Sequence, residues 1–281
     1  MRVSFNQIIK NNYIFYIMKI LFIGDIFGKK GREAVKKELP KLNKTEKIDF
    51  VIANAENTTH GKSLSAKHYK ELLEYGVDFF TFGNHTWQLS EIKQVLSNKN
   101  TIRPLNIKDS SNEYKYGGEG TRVCVIKDKK IRITNLLGMS VSANEIQTNP
   151  FVTLNELCKS DDSDIHFVDF HCESTSEKNA LALEFSSKVS AIVGTHTHIQ
   201  TSDERIFKNT AIISDVGMTG GSEGIIGAEP ETILKVFNGE ASRFKLSPSL
   251  SPYQFNGVVI EFSDKNNKPI NIKRIFIREN D

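Results

Sequence analysis

Five times along this chain an apolar run ends on a short polar cluster. Residues 20–24 lead to Asp25, residues 50–53 to Glu56-Asn57, and residues 79–83 to Asn84-His85. Residues 167–170 lead to His171, and residues 191–194 to His196-Thr197-His198. Short apolar runs bounded by polar residues read as buried strands. Helical spacing fills the gaps between them. Ala34, Val35 and Leu39 share one helix face, with Pro40 as the expected stop. Ser65 caps a predicted helix carrying Tyr69, Leu72 and Leu73 that ends near Gly76, and residues 91–98 form a short one. The pattern then changes. Residues 122–126 and 131–137 read as a hairpin, helices follow at 151–159 and 176–187, and strands at 165–170, 189–193, 210–213, 258–262 and 271–277.

Parallel strand-helix-strand units followed by antiparallel strands predict an α/β fold of two sheets with helices outside. No internal repeat or low-complexity linker divides residues 18–281, which read as a single domain. Residues 1–17 fall outside the pattern. Their apolar stretch follows Asn11 and Asn12, is interrupted by Lys19, and is too short to span a bilayer. The segment reads as an N-terminal extension, with Met18 as the expected true start.

Composition narrows the class. A chain of 281 residues needs no disulfide staples to hold a core. A net charge of +3 is too near balance for a nucleic-acid stripe, and the basic run at residues 127–130 reads as a solvated hairpin tip. Cys124, Cys158 and Cys172 are an odd number without close pairing, which predicts a reducing cytoplasmic setting. Cys172, beside His171, reads as a buried inert thiol.

Carboxylate, amide and imidazole are ligands that suit borderline divalent metals, and α/β sites form just past the carboxyl ends of strands. The five clusters therefore predict a metal centre. His196 and His198, at i and i+2 of an extended segment, would point to one side, with Gly194 relaxing the backbone before them. Gly83 would make a tight turn, Asn84 would offer a neutral oxygen, and His85 would reach past it towards a substrate. Asp25 or Glu56-Asn57 alone would read equally well as helix caps. His60 and His68 are expected at the surface and His166 as a structural strand residue.

The set Gly24-Asp25, Asn54-Ala55-Glu56-Asn57, Gly83-Asn84-His85, Asp169-Phe170-His171 and Gly194-Thr195-His196-Thr197-His198 resembles the calcineurin-like metallophosphoesterases. More narrowly it resembles the YmdB-type branch of bacterial 2′,3′-cyclic-nucleotide phosphodiesterases. Residues 169–178 and 215–220 carry the same likeness, which runs from Met18 to near the C-terminus. Phe27 stands where the wider family has the His of Asp-x-His, and Glu56 where it has a bridging Asp; both are habits of the branch. His60 and Gly221 depart from it, replacing a small residue and a proline.

The resemblance implies a four-layer αββα sandwich of two mixed β-sheets. It implies one metal on Asp25, Glu56, His198 and Asn57, and a second on Glu56, Asn84, His171 and His196, with Glu56 bridging. Iron or manganese is expected, and zinc also fits. The implied activity is hydrolysis of cyclic nucleotides, the 2′,3′-cyclic ones favoured, by a metal-bridging hydroxide. His85 would stabilise charge on phosphorus or protonate the leaving alkoxide. Two other readings stand beside it. One is a phosphomonoesterase or 5′-nucleotidase using the same centre. The other is a regulatory nucleotide-binding protein with little turnover, whose signature would be lost ligands, and none is lost. The implied partner is a small-molecule phosphodiester substrate. No basic-aromatic motif supports an RNA-binding role, no membrane segment is evident, and a homo-oligomer is left open.

Overall fold

A computed structural model describes residues 17–108, 117–141, 146–243 and 246–279; apart from Ile17, the expected N-terminal extension lies outside the described residues. In chain order the elements are β1 (Ile17–Ile23), β2 (Asp25–Ile26), α1 (Gly28–Glu46), β3 (Phe50–Asn54), α2 (Ala66–Glu74), β4 (Phe79–Thr81), a 3-10 turn (Thr86–Gln88) and α3 (Ile92–Leu96). There follow β5 (Ile107–Lys108), β6 (Thr121–Ile126), β7 (Lys129–Leu137), β8 (Ile146–Gln147), α4 (Pro150–Cys158), β9 (Ile165–His171), α5 (Thr175–Glu184) and β10 (Ala191–Thr195). The chain closes with β11 (Arg205–Phe207), β12 (Thr210–Ile213), β13 (Met218–Gly221), α6 (Pro230–Phe237), β14 (Tyr253–Ser263) and β15 (Pro269–Arg278).

Successive side chains leave a strand on opposite faces, so an unbroken apolar run must be covered twice. Ile20 and Phe22 of β1 enter one core while Leu21 and Ile23 enter another. The same division separates Ile165 and Phe167 of β9 from Val168 and Phe170. Two sheets result. In the first, β1, β3 and β4 run parallel, and β14 joins β1 antiparallel with β15 on its other edge. β13 and β2 extend this sheet. In the second, β12, β10, β9 and β7 are parallel and are flanked by antiparallel β11 and β6.

The inner faces pack on each other, with Phe22 stacked on Phe167 at a centroid distance of 5.7 Å. Helices α1 and α2 cover the first sheet through Val35, Leu39, Tyr69 and Leu72. Helices α4 and α5 cover the second through Leu154, Leu181 and Phe185. The layers are α/β/β/α with two mixed sheets, as expected. Among the described residues no helix is long and apolar enough to cross a membrane.

Two expectations fail, at Pro40 and His68, and three hold, at His60, His166 and the basic hairpin tip. Pro40 does not stop α1, which runs to Glu46. An interior proline costs about 3 kcal/mol, because it removes one hydrogen bond and crowds the preceding turn. Burying Leu39 and Leu42 on the same helix offsets this at roughly 1.5–3 kcal/mol each. Pro40 and Lys36 are both exposed, so water can reach the freed carbonyl. His68 is not a surface residue: it is buried on α2 and bonded to Thr59 Oγ1 at 2.8 Å. His166 is structural as expected, buried with Nδ1 2.6 Å from Asp161 and Nε2 2.9 Å from Thr134. His60 is exposed, and the β6–β7 turn does carry the basic tip, with Lys127 and Asp128 both at positive φ.

Candidate metal centre

Every ligand-type side chain lies at, or within three residues of, the carboxyl end of a parallel strand. Asp25 follows β1, Glu56 and Asn57 follow β3, and Asn84 follows β4. His171 closes β9, and His196 and His198 follow β10. The structure brings all seven together. His171 Nε2 is 3.0 Å from Asn84 Oδ1, 3.1 Å from Glu56 Oε1 and 3.0 Å from His196 Nδ1. Donor atoms of Glu56, His171 and His196 all lie within 4.8 Å of one another. Beside this group, Asp25 Oδ1 is 3.9 Å from His198 Nε2 and 4.0 Å from His171 Nδ1. Asn57 Nδ2 joins the groups, 3.2 Å from both His198 Nε2 and Glu56 Oε1. Asp25, Glu56 and His171 are wholly buried.

The outer nitrogens of the three rings are already engaged. His171 Nδ1–H donates to Thr195 Oγ1 at 2.9 Å, and Thr195 donates to Asp169 Oδ1 at 2.7 Å. Asp169 Oδ2 accepts from Asn54 at 3.1 Å and from Thr81. His198 Nδ1–H donates to the Ile226 carbonyl at 2.8 Å, and His196 Nε2 meets Glu173 at 3.0 Å. Such partners fix the tautomer and turn the remaining lone pair inward. The interior thus collects imidazole lone pairs, an amide oxygen and two carboxylates. Asp25 Oδ1 is buried there with no hydrogen-bond donor at all. Acceptors crowded against acceptors are costly in a dry site unless a cation reconciles them. The donor set fits divalent metal ions.

Without a cation, a proton takes part of that role. Burial works against a charged His171, but Glu56, Asp25 and Asp169 beside it hold its pKa at about 9. Burial raises the Glu56 carboxyl, yet His171 and the His85 backbone N–H hold it far below the usual range. Burial and the neighbouring His171 push His196 down to about 3, leaving it neutral near pH 7. Burial raises Asp25 against the pull of His198 and His171, and raises Asp169 to about 7.

The His196-Thr197-His198 segment is not extended, contrary to expectation. His196 has φ 102° and His198 φ 66°, left-handed values that non-glycine residues rarely adopt. A buried clamp holds them. Asp215 accepts from Thr197 N–H at 3.1 Å and Gly217 N–H at 2.8 Å, and Lys178 Nζ stands 2.6 Å from it. Gly194 also acts differently than expected. Gly194 lies in β10, where a β-carbon would strike the Ser214 carbonyl, and at Gly83 one would intrude on the Glu56 carboxylate and the His171 ring. Gly194 is thus needed for close approach rather than for a turn, whereas Gly83 serves both, its carbonyl also accepting from Thr86 N–H at 3.3 Å to close the turn.

Over the centre lies a cavity of about 750 Å³, walled by Phe27, Lys62, His85, Gln88, Glu173, Ile226 and Leu246 around Glu56, Asn57, His196, Thr197 and His198. Phe27 meets the His198 ring edge-on at 5.4 Å. His85 lines the cavity, its ring held by Gln88 and its N–H by Glu56. Cys172 is buried with its thiol pushed up by burial to about 12, so it is inert as expected. Sequence reasoning gave no role to Asp169, Thr195, Lys178 or Asp215. One signal was available: Asp169 continues the inner-face alternation Ile165, Phe167 of β9 and shares it with His171.

Residues 21–275 match the family model described as YmdB-like protein. The chain is 46% identical over 268 residues to a putative phosphatase/phosphodiesterase of Mycoplasma pneumoniae, covering 94% of each. It is 40% identical over 267 residues to the 2′,3′-cyclic-nucleotide 2′-phosphodiesterase of Bacillus subtilis, covering 93% of this chain and 98% of that protein. The crystal structure of a novel phosphatase from Mycoplasma pneumoniae superposes with a TM-score of 0.91 at 44% identity, covering 95% of both chains.

Proposed function

This chain belongs to the YmdB-like family, and from that premise we propose that it is a dimetal phosphodiesterase that opens cyclic nucleotides, preferring the 2′,3′-cyclic ones. The observation that carries the reading is the convergence of lone pairs on one buried point, where His171 Nε2 lies within 3.1 Å of Asn84, Glu56 and His196. One ion is assigned to Asp25, Glu56, Asn57 and His198, and the other to Glu56, Asn84, His171 and His196. Iron or manganese suits this oxygen and nitrogen set, and zinc is compatible. When bound, the ions polarise a phosphoryl oxygen and make water a nucleophile at neutral pH.

The chain's own residues do the rest. Asp25 and Glu56 are the only anionic ligands, so two divalent ions leave a net positive site for a phosphodiester anion. His85 takes no ligand role and lines the cavity, where it protonates the leaving oxygen. Phe27, Ile226 and Leu246 give an apolar wall for sugar and base. The three unpaired cysteines agree with a cytoplasmic setting. The test is kcat/KM for 2′,3′-cyclic, 3′,5′-cyclic and 5′-mononucleotides under one metal condition, with metal content measured. Two ions per chain and a preference for the 2′,3′-cyclic substrate are expected. A preference for 5′-mononucleotides would make it a nucleotidase, and a ceiling of one ion would end the two-metal assignment.

A further inference from the structure

The inner face of β14 and β15 changes character along its length. Val258, Ile260, Phe262 and Ile272 belong to the core between the sheets. Further along, the same face carries Gln254 and Asn256 on β14, opposite Arg278 and Phe276 on β15, with Arg274 one pair deeper. This stretch lies beside the metal end of the sandwich, because Gly24 N–H donates to the Asn256 carbonyl at 3.0 Å. The five side chains line a groove of about 290 Å³. His198 lines both this groove and the cavity over the centre, so the two share a wall.

The lining has a definite chemistry. Phe276 is 50% exposed, on the same face whose deeper positions are core. The Arg278 guanidinium lies over its ring at 5.2 Å and has no carboxylate partner among the described residues. Arg274 is steadied by Glu204 at 2.8 Å. Asn256 is 1% exposed, yet its Oδ1 has no hydrogen-bond partner. A half-exposed aromatic ring offers a stacking platform to a base, arginine offers a fork to phosphate, and an unpaired amide oxygen can accept from a base edge.

We propose that this groove binds the nucleotide next to the one being opened, so that the substrate includes short oligoribonucleotides ending in a 2′,3′-cyclic phosphate. The proposal rests on the cyclic phosphodiesterase reading and adds a second subsite to it. The reaction itself is unchanged. The oxygen of water joins phosphorus, one P–O bond of the ring breaks, and the released oxygen takes a proton to become a hydroxyl. A terminal phosphomonoester remains on the chain. The shared His198 wall favours one continuous strand over a separate ligand in the groove.

The test compares a dinucleotide ending in 2′,3′-cyclic phosphate with the 2′,3′-cyclic mononucleotide of the same terminal base, on metal-loaded protein. Wild type, Phe276→Ala and Arg278→Gln are measured. Wild type is expected to favour the dinucleotide by about tenfold in kcat/KM, the scale of one base stacked on an aromatic ring. Both variants should bring that ratio towards one, chiefly through KM for the dinucleotide. A wild-type ratio near one, or a ratio that neither variant moves, overturns the subsite. Stimulation of mononucleotide turnover by a dinucleotide lacking the cyclic phosphate, lost in Phe276→Ala, would place a separate ligand there and also overturn it. Turnover of neither substrate would bring down the phosphodiesterase reading, and the subsite with it.

Discussion

The two sheets bring different chemistry to the centre. Strands of the first deliver Asp25, Glu56, Asn57 and Asn84, which are carboxylates and amides. Strands of the second deliver His171, His196 and His198, which are imidazoles. Their support differs too. Each histidine is braced by a partner outside the cluster: Thr195 and Asp169, Glu173, and the Ile226 carbonyl. The Asp25 carboxylate instead keeps one oxygen bare. The first sheet thus supplies negative charge and the second supplies fixed direction. Neither half is a site alone, and the Phe22–Phe167 core that joins the sheets also assembles the centre.

The comparison is broken most severely at Glu56, the carboxylate that stands 3.1 Å from His171 on one side and 3.2 Å from Asn57 on the other. Glu56→Gln keeps the shape but removes half of the first sheet's charge. Loss of bound metal and a fall in activity of roughly 10³-fold or more are expected, as for other preorganised electrostatic groups. Metal analysis alongside turnover checks it, and a variant that holds two ions would show that the carboxylate does not bridge.

His85 belongs to the first sheet's side of the cavity but is assigned no metal. His85→Ala should keep its metal content and lose roughly 10²–10⁴-fold in kcat, the range of general acid–base groups. If the ions leave as well, His85 is a ligand and the leaving oxygen finds its proton elsewhere.

The bracing on the second sheet should matter less than the ligands it braces. Asp169→Asn retains the shape but no longer anchors Thr195 and His171 with a charge. A loss of about 10–100-fold in metal affinity or activity is expected, as for other partners of ligating residues. Measured metal affinity separates this from unfolding, since a merely structural role would lower the melting temperature and leave affinity intact. Asp215→Asn, which loosens the clamp on the left-handed His196 and His198, should act on affinity in the same direction.

The two halves were not equally legible in the sequence. Strand-end clusters revealed all seven candidate ligands, because the period of a buried strand forces polar residues out to its ends. Two sheets with helices outside followed from parallel strand-helix-strand units giving way to antiparallel strands. What escaped depended on chain segments far apart. Ile226 reaches His198 across 28 positions, and Asp215 reaches Lys178 across 37. The left-handed backbone at His196 and His198 had no glycine to announce it. Pro40 misled because local propensity was outweighed by the burial of Leu39 and Leu42. The Arg274-Ile275-Phe276-Ile277-Arg278 alternation was visible only as its isoleucines. Its basic and aromatic positions gained meaning once β14 and β15 outran the core.

The finest test of the contrast is pH. In the metal-free protein the charge of the first sheet holds the His171 pKa at about 9, against an ordinary value near 6.5. A raised folded-state pKa gives stability that is full below the unfolded value and is lost as pH climbs through the folded one. Asp169, raised to about 7, is still half protonated at pH 7 and has largely shed its proton only by about pH 8, so the interval from about pH 8 to 9 isolates His171. Metal must displace the His171 proton to bind. Metal affinity should therefore rise by about tenfold per pH unit through this interval and level off above pH 9. Over the same interval the melting temperature of the metal-free protein should fall, while that of the metal-loaded protein holds, since its cation does not titrate away. Calorimetry in buffers of different ionisation enthalpy counts the protons released. A count near zero at about pH 8 would mean that His171 is already neutral, and that the first sheet's charge is met by some other group.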